Sequence, residues 1–110
     1  MPSTGPETQV ACALIWRNEQ ILLSKRHKGT HLGGLWEFPG GKIETEEAEF
    51  DALRRELKEE LDINVSVAEK VLQFSHKYPE ELIVFSVWYV LDFTGNATGK
   101  EVQEIAWVSC

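Results

Sequence analysis

Three glutamates, Glu56, Glu59 and Glu60, stand at positions i, i+3 and i+4 of a segment rich in Ala, Leu, Glu and Arg. At about 100° per residue an α-helix brings such positions onto one side, with Glu59 and Glu60 each within about 60° of Glu56. Carboxylates placed this way repel one another when unpaired, and a hard divalent cation, which prefers oxygen ligands, converts that repulsion into binding. Acid triplets on helices are more often a plain solvated face, so the triplet by itself leaves both readings open. The formal net charge is -7, and between Glu44 and Asp62 nine acidic residues face only three basic ones. Nearly all of the acidic excess therefore lies beside the triplet. A chain of this charge lacks the clustered Lys and Arg that grip a nucleic-acid backbone, so a nucleic-acid polymer is not its expected partner.

The helix that must carry these acids is expected over about Glu46 to Leu61, where Leu53, Leu57 and Leu61 recur every four residues. Thr45 is the expected N-cap, and acidic residues crowd the first turn, where the helix dipole favours them. The leucine stripe lies roughly 110° around the helix from the acids, which places the acids beside the core rather than opposite it. Upstream, Gln9 to Trp16 and Ile21 to Ser24 read as strands joined by a turn at Arg17-Asn18-Glu19-Gln20. A basic, Gly-containing loop runs from Lys25 to Gly34, and Leu35 to Phe38 reads as a short strand ended by Pro39-Gly40-Gly41. Downstream strands are expected at Ile63 to Val67, Val71 to Ser75, Leu82 to Phe93 and Glu104 to Val108, with a turn at Lys77 to Glu81 and a loop at Gly95 to Lys100. Strands on both sides of one helix indicate an α/β chain with a mixed sheet.

With 110 residues, 43% hydrophobic and 26% charged, the chain has the totals of one small globular domain. Residues 1–8, rich in Pro, Gly, Ser and Thr, read as a flexible leader to a domain spanning 9–110. The longest apolar stretch, around Leu82 to Phe93, is broken by Ser86 and Asp92 and is too short to span a bilayer. No basic segment followed by an apolar one opens the sequence, so no signal peptide is expected. Cys12 and Cys110 share no metal-type spacing and are expected as free thiols in a reducing, cytoplasmic setting, with no membrane partner.

The spacing around the triplet is more specific than the triplet itself. Gly41, then Glu47 after five residues, then Arg55 after seven, then Glu56-Leu57-Lys58-Glu59-Glu60 with Ile63 closing the run, resembles the signature of the Nudix hydrolase family. One position departs: Asp62 stands where the family has Gly. Glycine past a helix end commonly takes the left-handed conformation, and Asp is among the few residues that tolerate it, so the geometry is expected to survive. The resemblance implies a Nudix fold, a mixed sheet packed against helices as an α/β/α sandwich. It also implies that the Gly41 carbonyl and the Glu56, Glu59 and Glu60 carboxylates hold Mg²⁺ (with Mn²⁺ as substitute) against substrate phosphates. Glu47 and Arg55 then act behind them, Arg55 orienting carboxylates, unless Arg55 forms only a surface ion pair.

The likeness extends from Gln9 to Trp107 and is similar to the MutT-like branch, which hydrolyses oxidised dGTP (8-oxo-dGTP) to the monophosphate and pyrophosphate. The run Gly34-Leu35-Trp36-Glu37-Phe38-Pro39-Gly40-Gly41-Lys42-Ile43-Glu44 carries that similarity, and so does Gly99-Lys100-Glu101. Glu101 is thereby implied as a further metal ligand or general base, against the plainer reading of an exposed loop acid. Arg26, His31, Glu37 and Phe38 are implied as substrate contacts; the plainer reading makes the basic loop a general attractant for phosphates and Phe38 a core residue. Hydrolases of ordinary or modified pyrimidine triphosphates such as dCTP share the Leu-Trp-Glu-Phe strand and stay as an alternative, as do ADP-ribose and dinucleoside polyphosphate hydrolases. A non-catalytic nucleotide-binding module is the remaining class. The family domain normally continues into a second helix covering the sheet; this sequence stops at Cys110, and the expectation is either a fragment or a naturally short protein. For a naturally short protein, a homodimer is the expected cover for the face so exposed.

Overall fold

The structure is a computed structural model, and it describes residues 7–26 and 33–109. Its elements are β1 (Glu7–Arg17), β2 (Gln20–Lys25), β3 (Trp36–Glu37), β4 (Gly40–Lys42), α1 (Glu49–Leu61), β5 (Asn64–Lys77), β6 (Leu82–Thr94) and β7 (Ile105–Ser109). β1 is the organising strand. Over Glu7 to Ile15 it runs parallel to β6, and over Val10 to Cys12 its other edge pairs antiparallel with β4. Its last residues turn into β2 through Asn18 and Glu19, both with positive φ, a two-residue hairpin whose twist matches its strands. β2 in turn pairs with β3 and β7, while β5 borders β6. The sheet is mixed, as expected.

Alternation along β1 sorts its side chains. Ala11, Ala13 and Ile15 are fully buried, and the parallel register sets them beside Ser86, Trp88 and Val90 of β6. Against that face lies the leucine stripe, with Leu53, Leu57 and Leu61 all fully buried, joined by Leu22, Ile63 and Val65. On the opposite face Phe74 stacks on Phe85, and Leu72, Phe74 and Leu91 remain about half exposed. Among the described residues one helix packs on one face of the mixed sheet, as expected of the fold without its usual C-terminal helix.

Several boundaries differ from expectation for identifiable reasons. β1 begins at Glu7, so the last two residues assigned to the leader belong to the sheet, while residues 1–6 lie outside the described set. The helix begins at Glu49 with Ala48 as its N-cap, and Thr45 caps nothing. Residues 44–47 form a separate turn instead: Glu47 N donates to Glu44 O at 3.0 Å, Glu44 N donates to Glu47 Oε1 at 3.1 Å, and Glu46 has φ of 66°. The two strands expected at Ile63 to Val67 and Val71 to Ser75 are one, β5, and its register shifts fall between Val65 and Leu72, across the expected gap. Gly40 and Gly41, expected with Pro39 only to end a strand, belong with Lys42 to β4. Asp62 does adopt the left-handed cap expected of it, with φ 59° and ψ 36°.

Candidate active site

The acids are positioned by β4 and α1 together. Gly40 has φ of 149°, and a side chain there would collide with the Ala11 carbonyl of β1. At Gly41 a Cβ would fall on the Glu56 carboxylate. Two adjacent glycines thus let the strand lie close to β1 on one side and to the helix acids on the other. Glu60, one turn beyond Glu56, is held by two donors: Ser24 Oγ gives a hydrogen bond to Oε1 at 3.0 Å, and Gly40 N to Oε2 at 3.3 Å. Burial nonetheless raises its pKa to about 7, with Glu101 and Glu37 adding repulsion. Glu56 is pushed upward for the same first reason, helped by Glu59 and Glu101 and opposed by Arg55.

Arg55 sits behind these acids. Its Nε and Nη2 each donate at 2.9 Å to the Glu47 carboxylate, Nη1 donates to Glu56 Oε1 at 2.9 Å, and Nη2 also donates to the Lys42 carbonyl at 3.0 Å. That pairing holds the Glu47 pKa down at about 2 and raises that of Arg55 further. Glu59 is more exposed and turns toward Arg55 Nη1 at 3.5 Å. The expected convergence of three helix acids is therefore not present as such, and among the described residues no three His, Cys, Asp or Glu side chains gather closely enough to hold a metal ion.

What does converge is a cleft of about 190 Å³ lined by residues of both halves of the chain. Glu37, Glu56, Glu60 and Glu101 supply its acids, Lys25 and Arg26 its cations, and Ser24, Gly40 and Gln103 the remaining wall. Arg26 Nη1 donates to both oxygens of Glu37 at 3.2 and 3.3 Å. Phe38 is 44% exposed and stands outside the cleft wall, so it is not the core residue of the plainer reading. His31 lies outside the described residues. Sequence reasoning missed Ser24 and Gln103. For Ser24 a signal existed: two residues after Leu22 on the inward face of β2, a lone hydroxyl in an apolar strand is nearly fully buried. Gln103 carried none, being one polar residue of a loop.

The Glu56 and Glu60 carboxylates offer oxygen ligands and resist ionisation where they stand, which is the chemistry a hard divalent cation relieves. The spacing and the geometry meet in comparison with known proteins. The family model described as the NUDIX domain matches residues 6–110. The chain belongs to the Nudix hydrolase family. Nudix hydrolases generally use divalent cations. A CTP pyrophosphohydrolase of Escherichia coli (strain K12) is 40% identical over 101 residues, 92% of this chain and 75% of that protein. An 8-oxo-dGTP diphosphatase of Haemophilus influenzae is 41% identical over 102 residues, 91% of this chain and 74% of that protein. Among solved structures, the MutT NUDIX hydrolase from Burkholderia pseudomallei superposes with a TM-score of 0.88 at 30% identity, covering 94% of this chain and 84% of that one. The E. coli ORF135 protein gives a TM-score of 0.83 at 38% identity, covering 96% and 76%. The signature spacing from Gly41 to Ile63 begins in β4 and ends just past α1. No helix among the described residues is long and apolar enough to cross a membrane.

Proposed function

We propose that this Nudix hydrolase cleaves a nucleoside triphosphate to the monophosphate and pyrophosphate, with Mg²⁺ as its ion and 8-oxo-dGTP as its preferred substrate, drawn from the cytoplasmic nucleotide pool. The observation that carries the reading is the shared cleft of Glu56, Glu60 and Glu101 beside Lys25 and Arg26. Acids for a cation and cations for a polyphosphate stand side by side, and neither a solvated helix face nor a simple binding loop requires both.

Glu56 and Glu60 would hold the ion, with Gly41 against Glu56 and Glu101 across the cleft. Glu59, tied to Arg55 by a single 3.5 Å contact, is not locked away from that role. The ion, when bound, polarises the phosphoryl group and offsets the charge that develops on it. The chain's own residues do the rest. Ser24 and the Gly40 amide keep the Glu60 carboxylate aimed into the cleft, and Arg55 fixes Glu56 while tying Glu47 and β4 to the helix. Glu101 is the candidate to accept a proton from the attacking water. Lys25 and Arg26 attract the phosphates, while Arg26 and Glu37 place a donor and an acceptor where a modified purine edge can be read. Phe38, with His31, is assigned to the base as well.

Support for the oxidised purine comes from the several relatives named 8-oxo-dGTP diphosphatase. A second reading, a cytidine triphosphate, is favoured by the E. coli relative named CTP pyrophosphohydrolase, which matches over 92% of the chain. Pyrophosphate release with Mg²⁺ from a panel of 8-oxo-dGTP, dGTP, CTP, dCTP and 5-methyl-dCTP separates the two, with ADP-ribose scored by AMP formation. The highest kcat/KM is expected for 8-oxo-dGTP. Preference for CTP or dCTP would transfer the mechanism to a pyrimidine, and a Glu56→Gln protein as active as the parent would sink the ligand assignment.

A further inference from the structure

The loop that carries Glu101 doubles as the cap of the helix that carries Glu56 and Glu60. Thr98 N donates to the Leu61 carbonyl at 3.0 Å and Lys100 N to the Glu60 carbonyl at 3.0 Å, satisfying acceptors that the helix end leaves without an intrahelical partner. Lys100 Nζ lies 3.6 Å from Asp62, the helix cap residue. The turn itself is tight. Val102 N donates to the Gly99 carbonyl at 3.0 Å, Val102 has φ of 65°, and a Cβ on Gly99 would collide with the Gln103 carbonyl.

One side chain joins this loop to the helix from within the cleft. Gln103 Nε2 donates to the Glu60 carbonyl at 2.9 Å, and Gln103 Oε1 accepts from the backbone N–H of Glu101 at 2.9 Å. The orientation of the amide is unambiguous, because a carbonyl can only accept and an N–H can only donate. A primary amide, with a donor and an acceptor on one carbon, makes both bonds; an ionised carboxylate cannot donate, and an alkyl or thioether chain makes neither.

We propose that Gln103 is a positioning residue for the hydrolytic reaction: its amide sets the backbone of Glu101 at a fixed distance from the backbone of Glu60, and so registers the loop acid against the helix acids across the cleft. The inference rests on the reading of Glu56, Glu60 and Glu101 as the reactive acids. It gives the strained turn at Val102 a purpose, since a chain that relaxed there would carry Glu101 away from the amide that holds it.

The test uses Gln103→Met, near in shape and unable to make either bond, together with Glu101→Gln and the double variant. Rates are measured on the nucleotide turned over best in the panel above, and amide exchange at Glu101 is read by NMR in the metal-free protein. Gln103→Met is expected to lose about 10- to 100-fold in kcat, as removal of groups supporting a ligand shell typically does, with KM changed less than about twofold. The Glu101 amide should exchange faster, and the double variant should be no slower than Glu101→Gln alone. If Gln103→Met does not fold, Gln103→Ala, which removes the amide without adding bulk, gives the same readouts. Wild-type kcat in the Gln103 variants beside a slow Glu101→Gln would overturn the positioning role, as would losses that multiply in the double variant. Wild-type rates in both Glu101→Gln and Glu56→Gln would instead bring down the reading of the site, and this inference with it.

Discussion

Arg55 grips Glu47 through two guanidinium nitrogens, Nε and Nη2, each 2.9 Å from a separate carboxylate oxygen. The same side chain reaches the Lys42 carbonyl of β4 and the Glu56 carboxylate on its own helix, so one residue ties together a turn, a strand and the helix acids. With its side chain mostly covered, this pairing is less screened than a surface salt bridge.

Arg55→Lys is the sharpest test of that arrangement, because an ammonium keeps the charge and loses the planar fork. We expect kcat to fall about 10- to 100-fold and unfolding free energy to drop by ~1–2 kcal/mol, with the helical circular dichroism unchanged. A Lys variant within twofold of the parent rate would reduce Arg55 to a plain ion pair.

The two glycines of β4 should fail in different ways. Gly41→Ala pushes a methyl group into the Glu56 carboxylate, the mobile end of a side chain, so the protein should fold and lose activity. Gly40→Ala drives a methyl group into the Ala11 backbone at a positive φ, and should cost about 3 kcal/mol or more. Urea melts paired with rates decide the matter; equal stability of the two variants would contradict the packing described.

The raised pKa of Glu60, about 7, makes a claim about stability. Between its ordinary value of 4.5 and about 7 the folded state binds more protons than the unfolded state, so stability falls as pH rises through that window. Glu56 shifts in the same direction, while the lowered Glu47, Glu49 and Asp62 titrate below it and leave it clear. In chelator, the protein is expected to be less stable at pH 7.5 than at pH 5, by on the order of 1 to 3 kcal/mol. Millimolar Mg²⁺ should recover the loss at pH 7.5, because an ion that binds only the folded state stabilises it. A melting temperature that rises across this range in chelator would refute the assignment.

Val102 is a β-branched residue at φ 65° and 91% exposed, so its side chain contributes strain and almost no burial. Val102→Gly should raise unfolding free energy by about 1 kcal/mol, read from the urea midpoint at constant slope. A lower midpoint would show that the side chain has a stabilising contact.

The signature from Gly41 to Ile63 made the family and the helix acids legible in the sequence, since local spacing on a helix translates directly into a shared face. The leucine stripe and the left-handed Asp62 were legible for the same local reason. Glu59 shows the limit. Its position on the face follows from helix geometry, yet its carboxylate turns to Arg55, because a long exposed side chain goes to the nearest charge rather than to an intended ligand set. Thr45 shows another. An N-cap preference was outweighed by the turn at residues 44–47, whose closing residue Glu47 is claimed by Arg55 eight residues on.

By itself, then, the amino-acid order determined what periodicity and backbone chemistry can express: a buried leucine face with acids beside it, a glycine pair before the helix, and strands of alternating burial. Only the tertiary structure decided which distant residues complete the cleft. Ser24 reaches Glu60 across 36 positions, and Gln103 reaches it across 43. Those meetings depend on β1 pairing with both β4 and β6 and on β2 pairing with β7, and strand partners so far apart in the chain are selected by the packing of the whole sheet rather than by any local pattern.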